Sequence, residues 1–182
     1  MNTTKVIGAL LLSMGLAGNV AAENGFYAGA SVGQSTVELC GDAGALGLTA
    51  CDDSDTGWKI FGGYDLSDNF AVEGAWVDLG EMTASAPGIT GGVEASGFIV
   101  DAKGTLPLNE QFGVFAKLGF MMWDADGTAS LNGLDDDGTD LHYGIGAQYM
   151  FTDQFGIVGE WEAVDFDDEN VDLLSVGALM KF

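Results

Sequence analysis

Residues 64–76, YDLSDNFAVEGAW, have a polar centre between two flanks in which apolar side chains occupy alternate positions. Asp68 and Asn69 at the centre are residue types that favour a tight turn. On both sides, apolar side chains recur at every second position, the period that is typical of a half-buried β-strand. The stretch therefore predicts a β-hairpin with a short turn.

Two later segments repeat this arrangement. Residues 104–120, GTLPLNEQFGVFAKLGF, and residues 149–161, YMFTDQFGIVGEW, each place an acidic residue and an amide before Phe. The acidic positions follow one another at intervals of 42 and then 43 residues. Three hairpins give six strands, and alternating segments that begin at Gly25 and end at Phe182 raise the number to eight.

The connections between these hairpins are longer and polar. They are expected at residues 35–56, 81–96, 125–141 and 165–172. Short turns at one end and long loops at the other are typical of outer-membrane barrels. We therefore predict an all-β fold, an eight-stranded antiparallel up-and-down transmembrane barrel with short periplasmic turns and long extracellular loops.

The two phases of each predicted strand differ in charge. One phase is uncharged and apolar, with aromatic residues toward the strand ends, as in Trp58, Trp76 and Phe98. This pattern favours lipid contact over a soluble barrel. Charges in the opposite phase would share a narrow lumen, where an unpaired charge is costly. The predicted lumenal charge network consists of Lys59, Glu73, Asp101, Lys103, Lys117, Glu160, Glu162 and Lys181.

The composition is strongly acidic. The chain has 28 Asp and Glu residues against 5 Lys and no Arg, with a formal net charge of -23. We expect no binding of nucleic acid, because phosphate contacts need basic side chains. The predicted loops contain the acidic clusters Asp52, Asp53 and Asp55; Asp135, Asp136, Asp137 and Asp140; and Asp165, Asp167, Asp168, Glu169 and Asp172. These clusters suit divalent cations such as calcium, or they form a solvated acidic rim.

The N-terminus and the cysteines indicate export. Residues 1–22 have one lysine, an apolar run and small residues before Glu23, which predicts a signal peptide rather than an uncleaved anchor. The outer-membrane barrel domain then occupies residues 23–182. Cys40 and Cys51 are expected to form a disulfide in an oxidising compartment. A thiol metal site is the alternative, although no histidine lies nearby.

Catalytic motifs are absent from the sequence. His142 is the sole histidine, and no serine lies in a nucleophile elbow. An eight-stranded barrel also leaves little room for a substrate pocket. We therefore expect no enzymatic activity, no cofactor and no metal site.

Three segments together resemble one known family. Residues 57–82, 100–108 and 114–126 are similar to strands of the OmpA-like transmembrane domain family, and the similarity extends over essentially the whole predicted mature chain. The resemblance implies a monomeric barrel in the cell outer membrane of a Gram-negative envelope, in contact with lipid and lipopolysaccharide. It also implies that the barrel-assembly machinery recognises Phe182 as a C-terminal signal.

The same resemblance implies a lumenal gate. In that family a glutamate and a lysine exchange ion-pair partners, and Glu73 and Lys103 match their positions. The remaining two gate positions hold Val158 and Gln148 instead of arginine and glutamate. Lys117 and Glu160 offer an alternative pair.

We therefore expect an integral outer-membrane protein with a role in envelope integrity and surface presentation. A small gated or low-conductance ion pore is the first alternative. Use of the acidic loops as an adhesin or receptor is the second.

Overall fold

The described chain forms one antiparallel sheet that closes into a barrel. The computed structural model describes residues 25–37, 50–52, 54–86, 89–129, 135–166 and 169–182. The strands are β1 (Phe26–Val37), β2 (Ala50–Asp52), β3 (Ser54–Ser67), β4 (Phe70–Ala86), β5 (Ile89–Pro107), β6 (Phe112–Ala129), β7 (Asp135–Met150), β8 (Phe155–Phe166) and β9 (Glu169–Lys181). Within these ranges no helix is long and apolar enough to cross a membrane.

Closure of the sheet comes from the pairing of the first and last strands. From β3 onward each long strand pairs with the next one along the chain, and β1 pairs with both β3 and β9. The three-residue β2 pairs with β4 beyond the end of the β3 pairing. Eight long strands therefore form the wall, which confirms the predicted up-and-down barrel.

The three repeated turns lie where the sequence predicts them, and each is held by the residue that precedes the acidic position. Ser67, Asn109 and Thr152 each accept hydrogen bonds from two backbone N–H groups, two and three residues later, at 2.8–3.4 Å. Short polar side chains commonly bond to the backbone in this way. The repeat thus encodes turns through this position as well as through the acid and amide pair.

Several strands extend into the segments that were predicted to be loops. They reach 19 residues in β5, and the predicted loop at residues 81–96 is mostly a paired ladder that runs to Ala86 and Ile89. The predicted loop at residues 125–141 is likewise paired, with Asp126 opposite Asp135. The prediction of loops there was wrong, because polar composition was interpreted as irregular structure although the backbone hydrogen bonds continue above the membrane.

The uncharged phase faces outward, as predicted. Leu118, Ile145 and Val176 are 58–60% exposed in the middle of their strands. Toward the strand ends the same surface carries aromatic rings, among them Phe26 and Tyr64, whose centroids are 4.7 Å apart. A continuous apolar surface of this kind is buried when lipid surrounds the barrel.

A charge placed on this surface tests the membrane orientation. Leu118→Arg should lower the free energy of unfolding in lipid vesicles by about 2–4 kcal/mol, because the guanidinium would face the bilayer interior. Leu108 follows the end of β5 and is 56% exposed. For Leu108→Arg we expect a loss of about 0–1 kcal/mol, since this position lies near the interface. Equal losses in denaturant titrations of the two variants would contradict the assignment.

Candidate functional site: an ionic cluster in the lumen

The charged phase of the strands faces the lumen. Seven of the eight residues in the predicted network have at most 5% of their surface exposed. We call these seven and one further residue the lumenal ionic cluster: Lys59, Glu73, Asp101, Lys103, Lys117, His142, Glu160 and Glu162. The inward positions alternate with lipid-facing ones, so the same period of two that builds the outer surface brings these charges together.

Lys117 is the centre of this cluster. Its Nζ lies 2.6 Å from Glu73, 2.5 Å from Glu160 and 3.3 Å from Glu162. Glu73 lies in β4, whereas Glu160 and Glu162 lie in β8. In the sheet order, β6 with Lys117 lies between these two strands. One ammonium group therefore ties β6 to two other parts of the wall.

Lys59 binds the same pair of β8 carboxylates from the other side. Its Nζ lies 2.7 Å from Glu160 and 2.5 Å from Glu162. Each of these two glutamates is thus shared by two lysines. Shared, hydrogen-bonded pairs offset the large desolvation cost of burying charge.

Lys103 has a different environment. It is 3.4 Å from Glu73, so the residues that match the family gate are in contact, but Glu73 is closer to Lys117. The ammonium of Lys103 also lies over the rings of Tyr27 and Phe115, at 4.8 and 4.3 Å from their centroids. The Tyr27 hydroxyl donates to Glu73 at 2.8 Å. Cation–π contacts of this kind partly replace carboxylate partners.

Lys181 lies apart from the cluster. Its side chain is 35% exposed and contacts Asp65 at 3.1 Å, near the short turns. The inward phase placed Lys181 on the correct side of the strand, but its position at the end of β9 gives it a partner at the rim.

His142 joins the cluster, although the sequence pattern predicts no role for it. It is 1% exposed, and its Nδ1 lies 2.8 Å from Asp101 while its Nε2 lies 3.6 Å from Glu162. In β7 it has the inward phase shared with Gly144 and Gly146. That period is the signal that could have identified it, but a lone histidine directly after the predicted connection of residues 125–141 was interpreted as incidental.

The lumen is closed on one side of the cluster. Near the short turns there is a cavity of about 610 Å³, whose lining includes Lys103, Gln148 and Lys181. On the side of the long connections the lumen is filled by apolar side chains that are at most 4% exposed. We call them the apolar seal: Val77, Leu79, Met121, Val164 and Leu173. No feature of the sequence pattern predicted this seal.

Acidic side chains form a row on the outer face of the extended hairpins. Glu81 pairs with Glu94, Glu94 with Asp126, and Asp126 with Asp135 across four neighbouring strands. Residues directly opposite each other point to the same face of a sheet. We call these four residues the acidic row. Like charges in direct register repel, so the row carries an electrostatic cost.

A bulge beside this row is organised by Asp55. The register of β4 shifts between Asp78 and Glu81, where Gly80 has φ +79°. The Asp55 carboxylate accepts the N–H groups of Glu81 and Thr56, both at 2.7 Å. These hydrogen bonds hold the pKa of Asp55, which lies beyond the lipid-facing segment, below its usual range. Its contribution to folding is present at neutral pH and is lost as the pH falls through that lowered pKa.

Several predicted features lie outside the described residues. The signal peptide of residues 1–22, Cys40, Asp53, Asp167 and Asp168 belong to this group, and only the backbone of Cys51 is described, in β2. The disulfide and the cleavage site therefore stay predictions. Phe182 is described, and its N–H donates to the carbonyl of Phe26 at 2.8 Å, which continues the closure of β9 on β1.

Removal of the central lysine tests the cluster. Lys117→Met should lower the free energy of unfolding by about 3–5 kcal/mol, because it leaves buried carboxylates without their partner. Lys181→Met is the matched control, and it should cost about 0–1 kcal/mol because its pair is partly exposed. Denaturant titration in detergent or lipid gives both values. Similar small losses would show that the cluster does not stabilise the barrel.

Removal of a charge from the acidic row tests its repulsion. Asp126→Asn should raise the free energy of unfolding of the protein by about 0.2–1 kcal/mol at low salt, because it relieves two like-charge contacts. The gain should fall in high salt, where exposed charges are screened. The same titrations in 10 mM and 1 M salt measure it, and a loss of stability would contradict the repulsion.

Comparison with curated proteins gives several that are named "Outer membrane protein A". The chain is 26% identical over 174 residues to "Outer membrane protein A" of Shigella flexneri, covering 88% of this chain and 49% of that protein. It is 28% identical over 179 residues to the Yersinia pseudotuberculosis protein of the same name, with the same coverage. The chain thus spans about half the length of these relatives.

Comparison with solved structures and a family model agrees with the barrel. Ail, the attachment invasion locus protein of Yersinia pestis, gives a TM-score of 0.59 at 21% identity, covering 87% of this chain and 99% of Ail. The N-terminal β-barrel domain of Pseudomonas aeruginosa OprF gives 0.59 at 12% identity, covering 87% and 98%. The family model for the outer membrane protein beta-barrel domain matches residues 7–182. The chain therefore belongs to this family of outer-membrane β-barrel proteins.

Proposed function

We propose that the protein is a sealed, non-catalytic outer-membrane barrel that contributes to envelope integrity and presents its extended hairpins at the cell surface. The observation that carries this proposal is the filling of the lumen. The lumenal ionic cluster occupies the middle of the barrel, and the apolar seal lies on its extracellular side. In this state an ion meets two successive barriers.

The first barrier is electrostatic. Every lysine of the cluster contacts at least one carboxylate, so an entering ion has to displace an existing partner. The second barrier is desolvation, because the apolar seal offers few groups that can replace the water around an ion. A gate of the kind implied by Glu73 and Lys103 would open only the first barrier.

The rest of the protein supports a role in lipid and at the surface. The outward apolar surface is suited to contact with lipid and lipopolysaccharide acyl chains. We further propose that the barrel-assembly machinery recognises Phe182, which follows the last strand of the barrel.

Adhesion is a second candidate, and the acidic row favours it. Four carboxylates in register on exposed hairpins would attract a cationic partner or one that is bridged through divalent cations. One of the similar structures is named the attachment invasion locus protein. Attachment that is lost on neutralising the acidic row while the barrel still folds would favour this function.

Single-channel recording in a planar bilayer tests the sealed barrel. We expect the refolded protein to give no discrete openings, because the apolar seal blocks the lumen. Replacement of two seal residues, Leu79→Ser with Met121→Ser, should introduce openings, since it removes bulk and adds polar groups beside the ionic cluster.

The control for this recording is Leu108→Ser, which also replaces an apolar residue with serine, but at an exposed position outside the lumen. It should stay silent. Discrete openings of the unmodified protein that change with Lys103→Ala would contradict the proposal and favour the gated pore.

A further inference from the structure

Three buried residues of the lumenal ionic cluster bring together side-chain groups of the kind that bind metal ions. Asp101, His142 and Glu162 each bring one side-chain nitrogen or oxygen atom within 4.8 Å of the others. All three residues are at most 3% exposed. His142 Nε2 has no hydrogen-bond partner within the described part of the chain. We propose that His142 and Glu162 bind one divalent metal ion of the zinc class, with Asp101 orienting the imidazole.

The contact with Asp101 sets the chemistry of the imidazole. A carboxylate only accepts, so Nδ1, at 2.8 Å from Asp101, carries the proton. In a neutral imidazole with this tautomer, Nε2 presents its lone pair toward Glu162. Carboxylates hold metal-binding histidines in this way in many metal sites, where they fix the tautomer and the ring orientation.

The distance from Nε2 to Glu162 fits a metal better than a hydrogen bond. At 3.6 Å the two atoms are farther apart than hydrogen-bonded groups, which lie at about 2.7–3.2 Å. With zinc to nitrogen and zinc to oxygen distances of about 2.1 Å, a separation of 3.6 Å corresponds to an angle of about 120° at the metal. This is close to the angle in tetrahedral zinc sites.

The net negative charge of the cluster is also compatible with one more cation. Four carboxylates face three ammonium groups, which leaves one negative charge when His142 is neutral. The carboxylates are Glu73, Asp101, Glu160 and Glu162, and the ammonium groups are Lys59, Lys103 and Lys117. The contact of Lys117 with Glu162, at 3.3 Å, is its longest, so Lys117 keeps two closer partners when a metal takes that oxygen.

Two glycines make the group possible. Gly119 lies between Asp101 and His142 on the intervening strand, and a Cβ there would meet the Asp101 carboxylate. Gly144 pairs with Glu162, and a Cβ there would contact the Glu162 side chain at 2.9 Å. Because neither position has a side chain, the three ligand-bearing residues can approach each other across neighbouring strands.

Nitrogen NMR on the single histidine gives a direct test. Protein without a histidine tag, labelled with ¹⁵N at His142, is refolded with and without one equivalent of Zn²⁺. We expect the Nε2 resonance to shift on addition of zinc, with Nδ1 still protonated. An imidazole spectrum that is unchanged by zinc, or one that shows an imidazolium in both samples, would overturn the proposal.

Affinity measurements on variants separate the metal ligands from the cluster charge. Zinc titration by calorimetry should show at least a tenfold greater loss of affinity for Glu162→Gln than for Glu160→Gln. Both changes remove one negative charge from the cluster, so the difference between them reports ligation. Asp101→Asn should weaken binding about 10–100-fold, as loss of an orienting carboxylate does in other sites.

Two controls accompany the titration. Heat-dependent gel migration establishes that each variant has folded. Asp126→Asn removes a carboxylate from the acidic row and should leave the His142 response unchanged. Equal effects of Glu162→Gln and Glu160→Gln would overturn the assignment of Glu162 as a ligand.

Discussion

The contact of Lys117 with three carboxylates is the interaction on which the lumen depends. In an eight-stranded barrel the interior is just wide enough for side chains, so every inward charge has to find its partner across a few ångströms. Lys117 meets Glu73 on one side and the β8 glutamates on the other. Lys59 repeats the second of these contacts. The walls of the barrel are therefore joined through its centre as well as along its backbone ladders.

This arrangement inverts the interior of a soluble protein. Apolar side chains face outward, where lipid covers them, and the buried polar residues meet inside. Hydrogen bonds between neighbouring strands satisfy the backbone N–H and C=O groups, because lipid offers no hydrogen-bonding partners. The lumen then has to satisfy its own charges, and the apolar seal completes its filling toward the extracellular side.

Much of the fold could be predicted because its rules are local. The three turns follow from short polar residues next to alternating strands, and the lipid face follows from a period of two that runs without a charge. The same period predicted that Lys59, Lys103 and Lys117 face inward. The acidic composition of residues 81–96 indicated a loop, and this prediction was wrong. Glu81 and Glu94 lie opposite each other in paired strands.

The partners inside the lumen could not be predicted in the same way. Which inward residues lie at one height depends on the stagger between strands, and this is a property of the closed barrel. The resemblance indicated Glu73 with Lys103, but the shorter contact of Glu73 is with Lys117. Lys181 and His142 show the same limit. Lys181 lies too close to the end of its strand to join the cluster, whereas His142 lies deep enough in the lumen to belong to it.

A double-mutant cycle on unfolding free energy tests most directly whether the cluster acts as one unit. Glu73→Gln and Glu160→Gln remove carboxylates that share Lys117 as a partner. We predict that their effects differ from additivity by about 0.5–3 kcal/mol, whereas Glu73→Gln with Asp126→Asn, in the acidic row on the outer face, is additive within about 0.5 kcal/mol. Additivity in both cycles would contradict a cluster that joins the walls through the lumen.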